Sequence, residues 1–127
     1  MANPLIHIHA PVAEALRNGE PVIALESTIV AHGMPYPANL ETAQTLESLV
    51  QSGGAVPATV AVANGQIHVG CAADMLHALA TEEGVWKISR RDLPLALAKR
   101  VLGATTVSGT LIGAARAGVA VFATGGI

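Results

Sequence analysis

Charge is scarce in this sequence. Only 13% of its 127 residues are Asp, Glu, Lys or Arg, against about 25% in an ordinary soluble domain. Small domains have proportionally the most surface to cover. The shortage therefore predicts that much of the surface is covered, by other subunits or by the remainder of a larger globule. The single cysteine, Cys71, excludes an internal disulfide and fits a reducing compartment. A net charge of −2 excludes a global field that would attract nucleic acid or anionic membrane. No uncharged apolar run reaches the roughly 18 residues of a membrane helix, and no basic segment followed by an apolar core marks a signal peptide. A cytoplasmic protein is expected. No repeat, low-complexity tract or Ser/Pro linker divides the chain, and the length fits one domain of about 100–200 residues. What is abundant is apolar: 51% hydrophobic content excludes disorder.

Strand-like and helix-like stretches alternate. After a mobile start, Pro11 to Arg17 reads as a short helix closed by Asn18-Gly19, and Pro21 to Leu25 as a strand covered on both faces. A loop from Ser27 to Ala38 leads to an amphipathic helix on Leu40, Ala43, Leu46 and Leu49, terminated by Gly53-Gly54. Val56 to Ala63 is a second apolar strand, and Asn64-Gly65 a hairpin turn into Gln66–Val69. Helical character follows at Ala72–Ala80, Leu93–Leu102 and the small-residue stretch Val107–Ala117, with strands at Val85–Ile88 and Val119–Ala123. The pattern predicts a three-layer α/β/α fold with a mixed, largely parallel sheet.

Ligands of open α/β sheets bind at the carboxyl ends of strands, and three polar groups stand there. Glu26 directly follows the first apolar strand, where a carboxylate beside apolar neighbours suits proton transfer; a solvated loop glutamate or a helix cap is the plainer reading. Lys87-Ile88-Ser89-Arg90-Arg91-Asp92 puts three cations within five residues, enough to hold a phosphate, though the spacing fits a solvated salt-bridge cluster equally well. Five of the seven basic residues (Lys87, Arg90, Arg91, Lys99, Arg100) fall in this one stretch, pointing to a local anion site, and Asp92 is placed to cap the next helix. Finally, Ala104 to Thr110 and Ala123 to Gly126 combine hydroxyls and glycines of the kind that offer backbone N–H groups to an anion. Neither stretch is a P-loop or a Gly-x-Gly-x-x-Gly fingerprint. His7 and His9 lack a third metal ligand; His32, His68 and His77 read as ordinary histidines, Cys71 as a small buried side chain, and Trp86 and Tyr36 as packing residues.

Taken together, the stretches Ala24 to Pro35, Gly54 to Thr59, Lys87 to Pro94, Gly103 to Val107 and Phe122 to Ile127 resemble, in order and spacing, the pseudouridine-5′-phosphate glycosidase family, also called indigoidine synthase A-like. The resemblance implies an enzyme that reversibly converts pseudouridine 5′-phosphate and water into uracil and ribose 5-phosphate. It implies a lysine that forms a Schiff base with the ring-opened sugar, a glutamate that moves a proton, Mn²⁺ as cofactor, and a homotrimer when full length. The family's glutamate falls on Glu26 as general acid/base, its Lys-x-Ser-Arg-Arg lysine on Lys87 as a substrate contact, and its contact after Ala-Thr-Thr on Val107; the resemblance also implies a phosphate contact at Thr124. The metal-binding Asp, the Schiff-base Lys and a base-holding Asn fall beyond Ile127. No metal ligand is therefore expected in this chain, nor a substitute nucleophile in Lys99, its only other lysine. Residues 1–127 are expected to be the N-terminal part of one such domain, truncated, inactive alone, with 1–20 a variable N-terminal segment. A non-catalytic phosphosugar- or nucleotide-binding module and a subunit completed by a separate C-terminal chain are the alternatives.

Overall fold

Val56–Ala63 (β3) holds the fold together. It has no charged side chain and is buried at six of its eight positions, because it is flanked on both edges and covered on both faces. The computed structural model describes residues 3–127; the first two residues of the expected variable segment lie outside them. Around β3 stand β1 (Ile6–Ile8), α1 (Ala10–Arg17), β2 (Val22–Leu25), α2 (Ala38–Ser52), β4 (Gln66–Val69), α3 (Ala73–Thr81), β5 (Trp86–Ile88), α4 (Leu93–Lys99), β6 (Gly103–Thr105), α5 (Val107–Ala117) and β7 (Val121–Ala123).

Strand alternation divides β3 between two cores. Ala58, Val60 and Val62 join Val12, Ile88, Leu93, Ala96 and Ala114 on the face covered by α1, α4 and α5. Ala61 points the other way, into a cluster with Val30, Ala43, Leu76 and Leu79 under α2 and α3. Two clusters on opposite faces of one sheet make the three-layer α/β/α fold. The sheet is mixed and mostly parallel: β1 with β4, β2 with β3, β2 with β7 and β5 with β6 run parallel, while β4 and β6 run antiparallel to β3.

Three expectations need correction. Residues 6–8, expected to lie in a mobile start, form an edge strand, β1, paired through Ile6↔Ile67, His7↔His68 and Ile8↔Val69. Gly103–Thr105 is a strand absent from those expected; three residues in a Gly/Ala/Thr run are too few to show a period-2 pattern. The helix expected to reach residue 102 stops at Lys99, because Arg100 takes a left-handed conformation (φ 57°) that breaks the helical hydrogen-bond ladder. A π-helical turn at Ile29–Gly33 also shortens the loop after β2.

How β3 shares its edge decides where the site lies. β4 and β6 both pair with Ala61 and Val62, so they occupy opposite edges. β2 pairs with the first half of β3, ending at Leu25↔Thr59; β6 pairs with the second half, running the opposite way. The carboxyl ends of β2 and β6 therefore meet head-on over Thr59 and Val60. With β7 parallel to β2 and β5 parallel to β6, four strand ends converge on one place.

Candidate active site

The head-on junction is sealed by hydroxyls. Ser27 Oγ donates to the Val60 carbonyl at 2.6 Å and accepts from the Thr105 N–H at 2.8 Å. The Ser27 N–H donates to the Thr105 carbonyl at 3.2 Å, and Thr28 Oγ1 donates to the same carbonyl at 2.9 Å. Thr105 Oγ1 donates to Val60 O at 2.8 Å and lies 2.8 Å from Thr110 Oγ1. Ser27, Thr105 and Thr110 are completely buried. Where two strands abut end to end no ladder can continue across the seam, so side-chain hydroxyls replace the missing backbone partners. Thr106 and Ser108 are likewise engaged within the protein, Thr106 Oγ1 with Ser89 and Ser108 Oγ with the Arg90 N–H. The hydroxyls of residues 105–110, read from sequence as an anion cradle, are thus mainly structural.

That seam sets Glu26 and Val107 on its two sides. Glu26 precedes Ser27 and projects between two clefts. One, of about 480 Å³, is lined by Glu26, Thr28, Lys87, Thr106, Val107 and Ser108, among others. The other, of about 340 Å³, is lined by Leu25, Glu26, Ile29, Leu46 and the Ala123–Gly126 loop. Lys87 sits at the middle of β5, opposite Ala104 of β6, with an exposed side chain. Val107 is the first residue of α5, whose first in-helix bond is made by the Thr110 N–H to Thr106 O at 2.9 Å; the N–H groups of its first turn have no helical acceptor. Thr124 lies in the second cleft and donates its hydroxyl to Glu26 Oε1 at 2.5 Å. Lys87, Val107 and Thr124, the other three residues singled out in the sequence, thus gather around Glu26.

The basic stretch does not stay together. α4 begins at the site and runs away from it, so its last residue, Lys99, is carried about 9 Å along the helix axis at 1.5 Å per residue. Arg100 lies over the Asn64-Gly65 turn: a Cβ on Gly65 would come 2.8 Å from its Nη1. Only Lys87, Arg90 and Arg91 remain at the site end, and Asp92 accepts from the Ser89 N–H at 2.9 Å, closing a 3-10 turn rather than capping α4.

Elsewhere, Cys71 is buried, and its Sγ–H donates to Thr59 O at 3.3 Å. Burial, aided by the negative charge of Glu47, pushes its thiol far above the usual range, so it is inert as a nucleophile. Burial also raises the Glu47 carboxyl, against an opposing hydrogen bond from Thr59 Oγ1 at 2.7 Å and the nearby His9. Trp86 packs against the core, as expected. Among the described residues, no three His, Cys, Asp or Glu side chains come together to hold a metal ion, and no helix is long and apolar enough to cross a membrane.

A three-layer α/β/α protein with a carboxylate, a lysine and a helix N-terminus facing one cleft belongs to the class of open-sheet α/β proteins, whose sites lie at the carboxyl ends of their strands. More particularly, the chain belongs to the indigoidine synthase A like family, whose model matches residues 11–127. It is 59% identical over 122 residues to the pseudouridine-5′-phosphate glycosidase of Rhodospirillum centenum, covering 96% of this chain and 38% of that protein. It is 52% identical to the protein of the same name from a Nocardioides species, covering 98% and 41%. Among solved structures it resembles the prealnumycin C-glycosynthase AlnA in complex with ribulose 5-phosphate, with a TM-score of 0.88, 41% identity and coverage of 99% and 40%. An indigoidine synthase A-like protein from Thermotoga maritima gives a TM-score of 0.84 at 28% identity, with coverage of 99% and 41%. The chain spans about two fifths of the length of these relatives.

Proposed function

We propose that this chain forms the proton-transfer and phosphosugar-binding part of a pseudouridine-5′-phosphate glycosidase, which reversibly breaks the C–C glycosidic bond of pseudouridine 5′-phosphate with water to yield uracil and ribose 5-phosphate. The observation that carries this is the shared cleft of Glu26, Lys87 and Val107, in a chain 52–59% identical to proteins of that name. The ribulose 5-phosphate of the AlnA complex supports a phosphosugar as ligand. Glu26 supplies the proton that the departing base carbon takes up, and removes it in the reverse direction. Lys87 attracts the phosphate as a point charge, and Val107 presents a free N–H at the positive end of α5. Residues 1–127 are read as the N-terminal part of one domain.

The family resemblance adds a Schiff-base lysine, Mn²⁺, a homotrimer and a cytoplasmic location. The described residues offer no donor set for the cation, and Lys99 is remote from the cleft, so no step is assigned to either group here.

Two measurements test the proposal. Calorimetry with ribose 5-phosphate should detect binding to this chain, weakened about 10–100-fold by Lys87→Ala, the worth of one charge-assisted hydrogen bond. Changing the glutamate aligned with Glu26 to Gln in the Rhodospirillum centenum relative should lower turnover about 10²–10⁴-fold. Undiminished binding in the first or undiminished turnover in the second would overturn it.

A further inference from the structure

We infer that Thr124 is a positioning residue for Glu26, not a phosphate contact: its hydroxyl holds the carboxyl group in both of its protonation states. The inference rests on the reading of Glu26 as the proton-transferring group. Thr124 Oγ1 donates to Glu26 Oε1 at 2.5 Å. The same oxygen lies 3.0 Å from the Gly126 carbonyl, to which it can donate instead, and accepts from the Gly126 N–H at 3.3 Å. Thr124 bonds Glu26 through Oε1, and Glu26 lines both clefts.

A hydroxyl carries one donor and two acceptor sites, whereas an ionised carboxylate only accepts and a protonated one also donates. With Glu26 ionised, the Thr124 proton points at Oε1. With Glu26 protonated at Oε1, the acid O–H donates to Thr124 Oγ1, and the Thr124 proton turns to the Gly126 carbonyl. With the proton on Oε2, the first arrangement persists. In each case Glu26 keeps its anchor and no proton leaves the pair. A group that must give a proton in one direction of a reversible reaction and take it in the other needs a partner of this kind. A Lys or Arg in its place could only donate, and would favour the ionised form alone. The Gly125-Gly126 turn makes the switch available, since it brings both a carbonyl and an N–H back onto the hydroxyl of Thr124.

The test compares a contact to substrate with an action through Glu26. Thr124→Val keeps the shape and removes the hydroxyl; Thr124→Ser keeps the hydroxyl. In the Rhodospirillum centenum relative, the valine variant at the aligned threonine is expected to lose about tenfold or more in kcat with KM within about twofold, and serine to restore most of it. Combined with the glutamate-to-glutamine change, the valine should cost nothing further, because its effect passes through that carboxyl. On this chain, ribose 5-phosphate affinity by calorimetry should change less than about twofold with Thr124→Val, and thermal melting should show both variants folded. A tenfold loss of ribose 5-phosphate affinity, additive kcat losses, or unchanged kcat in the valine variant would each overturn the inference. Retained turnover in the glutamine variant alone would remove the reading of Glu26 itself, an outcome distinct from any failure at Thr124.

Discussion

Ser27 shows how closely structure and chemistry are joined in this chain. Its hydroxyl accepts from the buried Thr105 N–H at 2.8 Å, and it stands next to Glu26. Ser27→Ala leaves that N–H without an acceptor in a dry seam. The expected cost is about 1–3 kcal/mol, the usual penalty of an unsatisfied buried donor, read as a lower urea midpoint. Thr105→Val should behave similarly through its lost bond to Val60 O. The sequence marks none of this: a Ser after a Glu reads equally as a cap, a loop residue or a ligand. Glu26 and Lys87 were legible because a charged group just after or within an apolar strand is conspicuous in so uncharged a chain. The structural task of Thr105 and Thr110 was not, because whether a hydroxyl faces ligand or neighbour depends on what packs opposite it.

At the scale of elements, most of the fold was legible. β3, the hairpin into β4 and α5 run where apolar runs, Asn64-Gly65 and the small-residue stretch place them. The short strands β1 and β6 were missed, since each is three residues long and takes its identity from its partners. β1 also carries a pH-dependent feature. His7 and His68 are register partners, their ring centroids 4.9 Å apart. Burial depresses the His68 pKa below the ordinary imidazole value, opposed by the hydrogen bond to Ala63 O and reinforced by His7. In the folded state His68 thus binds its proton less readily than in the unfolded chain. The stability it contributes is present above about pH 6.5 and is lost as pH falls through the depressed value. Acidification from pH 7.5 to 5 should therefore lower stability and expose the His9 amide, which donates to Val69 O. Its hydrogen-exchange protection should drop more in the natural chain than in His68→Gln.

On the scale of the whole molecule, charge is arranged by the sheet rather than by the sequence. Lys87, Arg90 and Arg91 stand exposed at the end where the strands converge, while α4 carries Lys99 and Arg100 to the other. Three exposed cations attract a phosphate through solvent and are screened by salt. Ribose 5-phosphate affinity should fall several-fold between about 0.05 and 0.5 M salt, and Arg100→Gln should leave that dependence unaltered; a salt-independent Kd would remove these cations from the binding step. The shortage of charge shows directly in the apolar surface left open on α2 and β7, where Leu49 is 62% and Val121 54% exposed.

The amino-acid sequence by itself determined the local matters: apolar runs that must be covered on both faces, turns where Asn-Gly or Gly-Gly readily takes the positive φ required, and a carboxylate just after one strand and a lysine within another. These follow from side-chain size, polarity and backbone freedom within a few residues. Tertiary structure alone decided that β2 and β6 meet head-on across one edge of β3. That meeting gathers Glu26, Lys87, Val107 and Thr124, converts the hydroxyls of Ser27 and Thr105 into a seal, and separates cations adjacent in the chain. The physical reason is that a strand's unpaired edge can be satisfied by either of two partners running in opposite directions, and the choice rests on contacts between residues up to 98 positions apart, as Thr124 and Glu26 are.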